Sequence, residues 1–268
     1  RDIEFCLFDL LGRDKVMGTN PYGEVDRETA IGMLEEMKRL CENDLAASFV
    51  EGDRIRTDFN KTTGDVKLPE SFKKSYKAYV DGEWWRLDAP VELGGMKVPP
   101  SVRWAMAEMV LGSNPAIHIY ASGYAFAQVA HVLGTEEQKK IAKQMVEKHW
   151  GATMQLTEPD AGSDVGAGRT KAVQQPDGTW HITGTKRYIT SGDADFYDNV
   201  IHFVLARREG GGPGTKGLSL FLIPKFMFDF ETGEMGKRNG VFVTSIEDKM
   251  GLNVSATCEV NLGEKEPA

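Results

Sequence analysis

The feature that most constrains this chain is a change of hydrophobic period near residue 149. Before it, apolar residues recur at helix spacing. Ala30, Met33, Leu34, Met37, Leu40, Cys41 and Leu45 follow Asp26, whose carboxylate suits an N-cap. The stretch "GTEEQKKIAKQMVEKH" opens with Thr135 and Gln138 at capping-box spacing. It has acidic residues in its first turn and Lys148 and His149 in its last, as the helix dipole favours. Further helices are expected near 3–12, 69–81, 100–111 and 115–132, and "DAPVELGGMKVPP" reads as a loop. After residue 149 the period is two. "GATMQLT", "TKAVQQ", "TWHITGTKRYI", "NVIHFVLAR", "LSLFLIP" and 241–246 read as strands, with Gln175-Pro176-Asp177-Gly178 as a hairpin turn. Helices followed by segregated strands predict an α+β chain: an all-helical domain over 1–149, then an antiparallel, barrel-like β domain over 150–268.

Composition narrows the function. The chain has 268 residues, 41% hydrophobic and 27% charged, enough material for a core. A net charge of −8 argues against a nucleic-acid groove or an anionic-membrane surface. No apolar run approaches the roughly 18–20 residues of a transmembrane helix, and no secretory h-region opens the chain. Because it starts at Arg1 and closes on "GEKEPA", both ends are expected to have been cut from a longer protein. Cys6, Cys41 and Cys258 are odd in number and far apart. They suit free buried thiols in a reducing compartment, so a cytoplasmic location is expected.

Several formal motifs fail in context. Gly212-x-Gly214-x-x-Gly217 matches the dinucleotide fingerprint, but a strand follows it where a helix is needed, and Pro213 sits inside. The patch 209–217 reads instead as a flexible connection. Lys216 lacks the preceding glycine of a P-loop. His118, His131, His149, His181 and His202 show no metal-ligand spacing, and no G-x-S-x-G elbow is present. No metal site is predicted.

"MQLTEPDAGSD", Met154–Asp164, is the stretch that carries chemistry. Ala152, Met154 and Leu156 alternate with Thr153, Gln155 and Thr157 as in a half-buried strand, which then breaks into a turn rich in hydroxyls and carboxylates. It closely resembles the flavin-binding signature of the acyl-CoA dehydrogenases. "GTEEQKK" leads into it with that family's order and spacing. "KRYITSG", 186–192, resembles the family's second signature. "DAPVELGG" resembles a loop of its N-terminal helical domain, and "EDKMGLNVSATCEV" the end of its middle β domain. The wording of "NPAIHIY" and "KMGLNVSATC" is most similar to the larger bacterial, methylmercaptopropionyl-CoA dehydrogenase-like branch.

The resemblance implies an FAD enzyme that removes a proton beside a thioester carbonyl and passes a hydride from the next carbon to flavin N5. The protein would orient the cofactor and stabilise charge on it. It implies that Met154 is among the cofactor-binding residues, that Thr157 and the backbone around Leu156 serve the flavin's pyrimidine edge, that Ser163 meets its pyrophosphate where Gly162 allows close backbone approach, that Tyr188 packs beside the ring with Ile189 behind it, and that Thr190 reaches the N5 region by hydroxyl or backbone. Many relatives carry Trp where Tyr188 stands. Thr157 and Ser163 also fit an ordinary turn, whose backbone groups hydroxyls satisfy. Tyr188 also fits an ordinary strand aromatic. Glu158, beside the expected flavin loop, is a candidate general base, but its place before Pro159 in a turn favours a structural role; Asp160 and Asp164 read as loop-ordering carboxylates. No catalytic residue is assigned, because the family's glutamate base lies in a C-terminal helical bundle that is absent from this chain. The implied partners are an acyl-CoA substrate, an electron-transfer flavoprotein and further copies of the chain, as a dimer or tetramer. An acyl-CoA oxidase and a non-catalytic flavin- or acyl-CoA-binding scaffold are the alternatives.

Overall fold

A computed structural model describes residues 1–268. The helical part opens with α1 (Asp2–Glu4), continued by a π-helical turn, Phe5–Leu10. Then come α2 (Arg27–Leu40), α3 (Phe49–Arg54), α4 (Glu70–Asp81), α5 (Pro100–Ser113), α6 (Pro115–Tyr120), α7 (Gly123–Leu133) and α8 (Glu136–Glu147). Asp26 caps α2, accepting from the Thr29 amide at 2.8 Å, and the buried face is Ala30, Leu34, Met37 and Leu40. The Thr135–Gln138 capping box is present in both directions. Three expectations need correction. Cys6 is exposed, and only Cys41 and Cys258 are buried thiols. Helix α8 stops at Glu147, with Lys148 as its C-cap and His149 at a positive φ of 54°, so neither basic residue lies in its last turn. The helix expected over 115–132 is two helices broken at Ala121–Ser122. The restart at Gly123 is steric: a Cβ there would stand 2.6 Å from the Trp150 carbonyl oxygen, so only glycine lets α7 sit this close to the following strand.

The β part holds β3 (Gly151–Gln155), β4 (Lys171–Gln174), β5 (Trp180–Ile189), β6 (Val200–Arg208), β7 (Leu218–Pro224), β10 (Val241–Ile246) and β11 (Cys258–Leu262) in one curled sheet. Its order is β10-β11-β5-β4-β6-β3, with β7 on the other edge of β6. Four pairings are antiparallel: β10–β11, β11–β5, β4–β5 and β6–β7. Two, β3–β6 and β4–β6, are parallel, because the chain travels through the β4–β5 hairpin and returns to β6 in the direction it left β3. A second hairpin, β8 (Phe226–Phe228) and β9 (Met235–Arg238), stands apart from this sheet. No helix follows the β part within the chain. A hairpin also interrupts the helical part: β1 (Asp58–Asn60) and β2 (Asp65–Lys67). These three-residue strands are too short to show a period. Val66 of this hairpin is buried in the sheet's own core.

Three apolar clusters hold the molecule together. One fills the helical part and takes in Ala194 and Val254 from loops of the β part. Phe196 and Tyr197 follow Ala194 into it: Tyr197 Oη donates to the Tyr120 carbonyl at 2.6 Å, and the Phe196 ring lies 4.5 Å from Tyr76. A second lines the concave side of the sheet. In the third, α7 and α8 cover β3 and β6 through Tyr124, Ala127, Ile141, Met145, Ile201 and Phe203.

Candidate functional site

Strand β3 does not show the expected alternation of faces. Thr153 and Gln155 are buried, at 2% and 0% exposure, and so is Ala152 on the other phase, at 9%, whereas Met154 is 37% exposed. The polar side faces His202 of β6, the register partner of Thr153. Gln155 Nε2 donates to His202 Nδ1 at 2.8 Å, and Thr153 Oγ1 lies 2.8 Å from the same nitrogen. Burial, reinforced by the charges of Lys225 and Arg238, pushes the imidazole down to about 3. It is therefore a neutral partner to its two polar neighbours. A buried polar strand face is stable only when its groups find each other; here all but the Gln155 Oε1 do so.

Past Gln155 the chain leaves the sheet and runs beside β5. The Arg187 amide donates to the Thr157 carbonyl at 2.9 Å, and Lys186 Nζ to the Leu156 carbonyl at 3.1 Å. These two bonds bring the two signature segments together. Glu158 and Ala161 exchange amide–carbonyl bonds at 3.0 and 3.1 Å, closing the turn that leads to Gly162 and Ser163. The Glu158 carboxylate is buried within it, accepting from the Arg169 amide at 2.6 Å, the Thr170 amide at 3.0 Å and Lys186 Nζ at 2.9 Å. Burial works against this charge. The hydrogen bonds from Thr170, Lys186 and the amides outweigh it and hold the carboxyl below its usual range. Lys186 is pushed down by its own desolvation, which Glu158 offsets only in part. A carboxylate so engaged is structural, as its place before Pro159 suggests. No motif role is expected of Lys186. A lysine on the inward phase of a strand was the available clue.

Tyr188 is 56% exposed and sits at a positive φ of 59°. Left-handed backbone is costly for a large aromatic residue, so the surroundings must impose it. The β5–β11 register slips at this point, between the Cys258–Ile189 and Val260–Lys186 pairs, and such a bulge re-aims a side chain. The Arg187 guanidinium lies 5.0 Å from the Tyr188 ring centre and is tied to Glu247 at 3.0 Å. Ile189 points the other way and is buried in the sheet core. Thr190, Gly162 and Ser163 are exposed, and Leu156 and Thr157 half-buried. Met154, Thr157, Ser163, Tyr188 and Thr190 thus offer an open strip of one thioether, three hydroxyls and one aromatic ring, with no metal-binding cluster anywhere in the chain.

The strip's donor set fits a flavin nucleotide. The amide N–H groups of Leu156, Thr157, Gly162 and Ser163 have no partner within the chain. Gly162 has neither a positive φ nor a neighbour that a Cβ would meet within 4 Å. The chain's own packing gives no reason for glycine there, whereas a ligand lying against the backbone does.

Comparison with known proteins agrees. Residues 153–264 match the family model described as acyl-CoA dehydrogenase, middle domain. The chain is 58% identical over 98% of its length to the broad-specificity linear acyl-CoA dehydrogenase FadE5 of Mycobacterium tuberculosis, covering 43% of that protein. It is 36% identical over 96% of its length to 3-methylmercaptopropionyl-CoA dehydrogenase of Ruegeria pomeroyi, covering 44%. Among solved structures, an acyl-CoA dehydrogenase complexed with FAD from Bacillus anthracis shares the fold, with a TM-score of 0.64 at 21% identity over 88% of this chain and 36% of that one. The chain belongs to the acyl-CoA dehydrogenase family. It spans less than half the length of the two curated relatives.

Proposed function

We propose that residues 1–149 and 150–268 are the N-terminal and middle domains of an FAD-dependent acyl-CoA dehydrogenase. The observation that carries this reading is the row of unpartnered amides at Leu156, Thr157, Gly162 and Ser163 beside the exposed Tyr188. When bound, FAD would supply the hydride acceptor for α,β-dehydrogenation of an acyl-CoA thioester. The chain's own part is to hold and polarise. Met154, Leu156 and Thr157 flank the pyrimidine edge, where the Thr157 hydroxyl and amide meet developing negative charge. Gly162 and Ser163 receive the pyrophosphate through backbone N–H groups and a hydroxyl. Tyr188 gives the ring an apolar wall, backed by Ile189, and Thr190 reaches the far side of the ring.

None of these residues takes the substrate's α-proton. Glu158 is committed to Lys186 and two amides. The base is supplied from elsewhere in the enzyme, and residues 1–268 alone are expected to be inactive and to hold FAD weakly. Electrons would leave to an electron-transfer flavoprotein from a cytoplasmic homo-oligomer. Neither the acyl chain nor its branching is assigned.

The experiment is FAD titration of the whole gene product, wild type and Thr157→Val. Losing a hydrogen bond to a charged group costs about 1.5–3 kcal/mol, so binding or turnover should fall at least tenfold. Wild-type protein that takes up no FAD, or a variant that matches it in both measures, would sink the reading.

A further inference from the structure

Lys186 is 1% exposed, and its ammonium makes two bonds, to Glu158 at 2.9 Å and to the Leu156 carbonyl at 3.1 Å. The carbonyl of Leu156 and the N–H of Thr157 belong to one peptide plane. In a trans peptide they point in opposite directions. A carbonyl turned inward to a buried cation therefore turns the Thr157 N–H outward, and that N–H is one of the unpartnered amides of the open strip. The next peptide is fixed independently, its carbonyl held by the Arg187 amide at 2.9 Å. A cation on one end of a peptide also withdraws electron density from the N–H at the other, which makes it a stronger donor.

The cost of this arrangement argues for a purpose. A buried ion pair is replaceable by apolar side chains of similar volume with little loss of stability, so stability alone does not call for it. The pair is elaborately held: the amides of Arg169 and Thr170 fix Glu158, Glu158 fixes Lys186, and Lys186 fixes one peptide.

We propose that Lys186 is a positioning residue of the cofactor site, aiming and polarising the Thr157 N–H toward the pyrimidine edge of the flavin. This rests on the flavin reading above and adds a residue to it. Lys186 touches neither cofactor nor substrate; it acts through the Leu156–Thr157 peptide. Its signature is a change in how strongly the site prefers reduced over oxidised flavin. A residue that merely holds the loop together would alter stability and leave that preference alone.

The test uses a charge-free pair, Lys186→Met with Glu158→Gln, so that no buried charge is stranded. In the 268-residue chain without added FAD, the Thr157 amide is followed by 1H–15N NMR, and its proton should move upfield. In the FAD-loaded whole gene product, the ratio of reduced to oxidised flavin affinity should fall about tenfold, the scale of one charge-assisted hydrogen bond. For a two-electron couple that is a midpoint lower by about 30 mV. If the pair does not fold, Lys186→Gln with Glu158→Gln keeps a neutral donor to the carbonyl and should show the same shifts, reduced in size. An unmoved Thr157 amide overturns the proposal. A moved amide with an unchanged midpoint also overturns it, leaving Lys186 a purely structural residue. Wild-type protein that takes no FAD sinks the flavin reading and this proposal with it, a result the cofactor-free NMR arm keeps separate.

Discussion

The β part contains two buried lysine–carboxylate pairs that behave differently. Lys186–Glu158 stands behind the signature loop, at 1% and 8% side-chain exposure. Lys225–Asp193 joins the residue after β7 to the loop between β5 and β6, at 13% and 3%. Glu158 receives two amides from another segment as well as its lysine, and its carboxyl is held below the usual range. Asp193 has both oxygens on Lys225, at 2.9 and 2.7 Å, but otherwise only the adjacent Ala194 amide. There desolvation wins and the carboxyl is pushed up. Asp193 lies the deeper of the two, so desolvation weighs more on it, and fewer donors answer its charge. Depth and the supply of donors together separate a carboxylate that stays charged from one ready to take a proton.

The largest test of this contrast is Lys186→Met alone. It strands a carboxylate that its amides keep ionised, and should cost about 3–5 kcal/mol in urea unfolding at neutral pH. Lys225→Met should cost less, about 1–3 kcal/mol, because Asp193 can protonate and shed the unpaired charge. Equal losses would mean that depth and donor supply do not set the difference. The pH dependence has opposite sign at the two sites. The native pKa of Glu158 lies below its ordinary value of 4.5, so its contribution is present above 4.5 and is lost as pH falls through the native value. Glu158→Gln should flatten that acid loss. Asp193 holds its proton in the native state above its ordinary 3.8, so stability falls as pH rises from there to its native value. Asp193→Asn should flatten that decline, and matching slopes in the two variants would break the comparison. Lys186→Met with Glu158→Gln removes both charges together, so it should cost less than Lys186→Met alone; it still leaves one amide and the Leu156 carbonyl without a partner, a loss of about 1–3 kcal/mol.

Legibility of the sequence followed the length of each signal. Capped helices such as α2 and α8 and the six-residue strand β10 declare themselves through repeated periods. The β1–β2 hairpin, with three residues a strand, does not. Parallel pairing of β3 with β6 was hidden because period two is common to both strand directions. In the site, Thr157, Ser163 and Tyr188 were readable as residue types in a familiar order. That Thr153 and Gln155 form the inner face was not, because their burial depends on His202, 47 and more residues away in sequence. The role of Lys186 was hidden for the same reason: its partners lie 28 and 30 residues back along the chain.

Arg207 has a practical consequence for anyone cutting or tagging this chain. Its guanidinium donates to the carbonyl of Gly212, to that of Gly214 at 3.1 Å, and to that of Gly166 at 2.7 Å, on the segment that follows Ser163. The glycine-rich stretch 209–217, which by composition invites an epitope insertion or a split point, is therefore stitched to the far end of the signature loop. An insertion there would register at Ser163. The Asp177–Gly178 turn, whose hydrogen bonds run only to Gln175 and Thr179, is the safer place for a label.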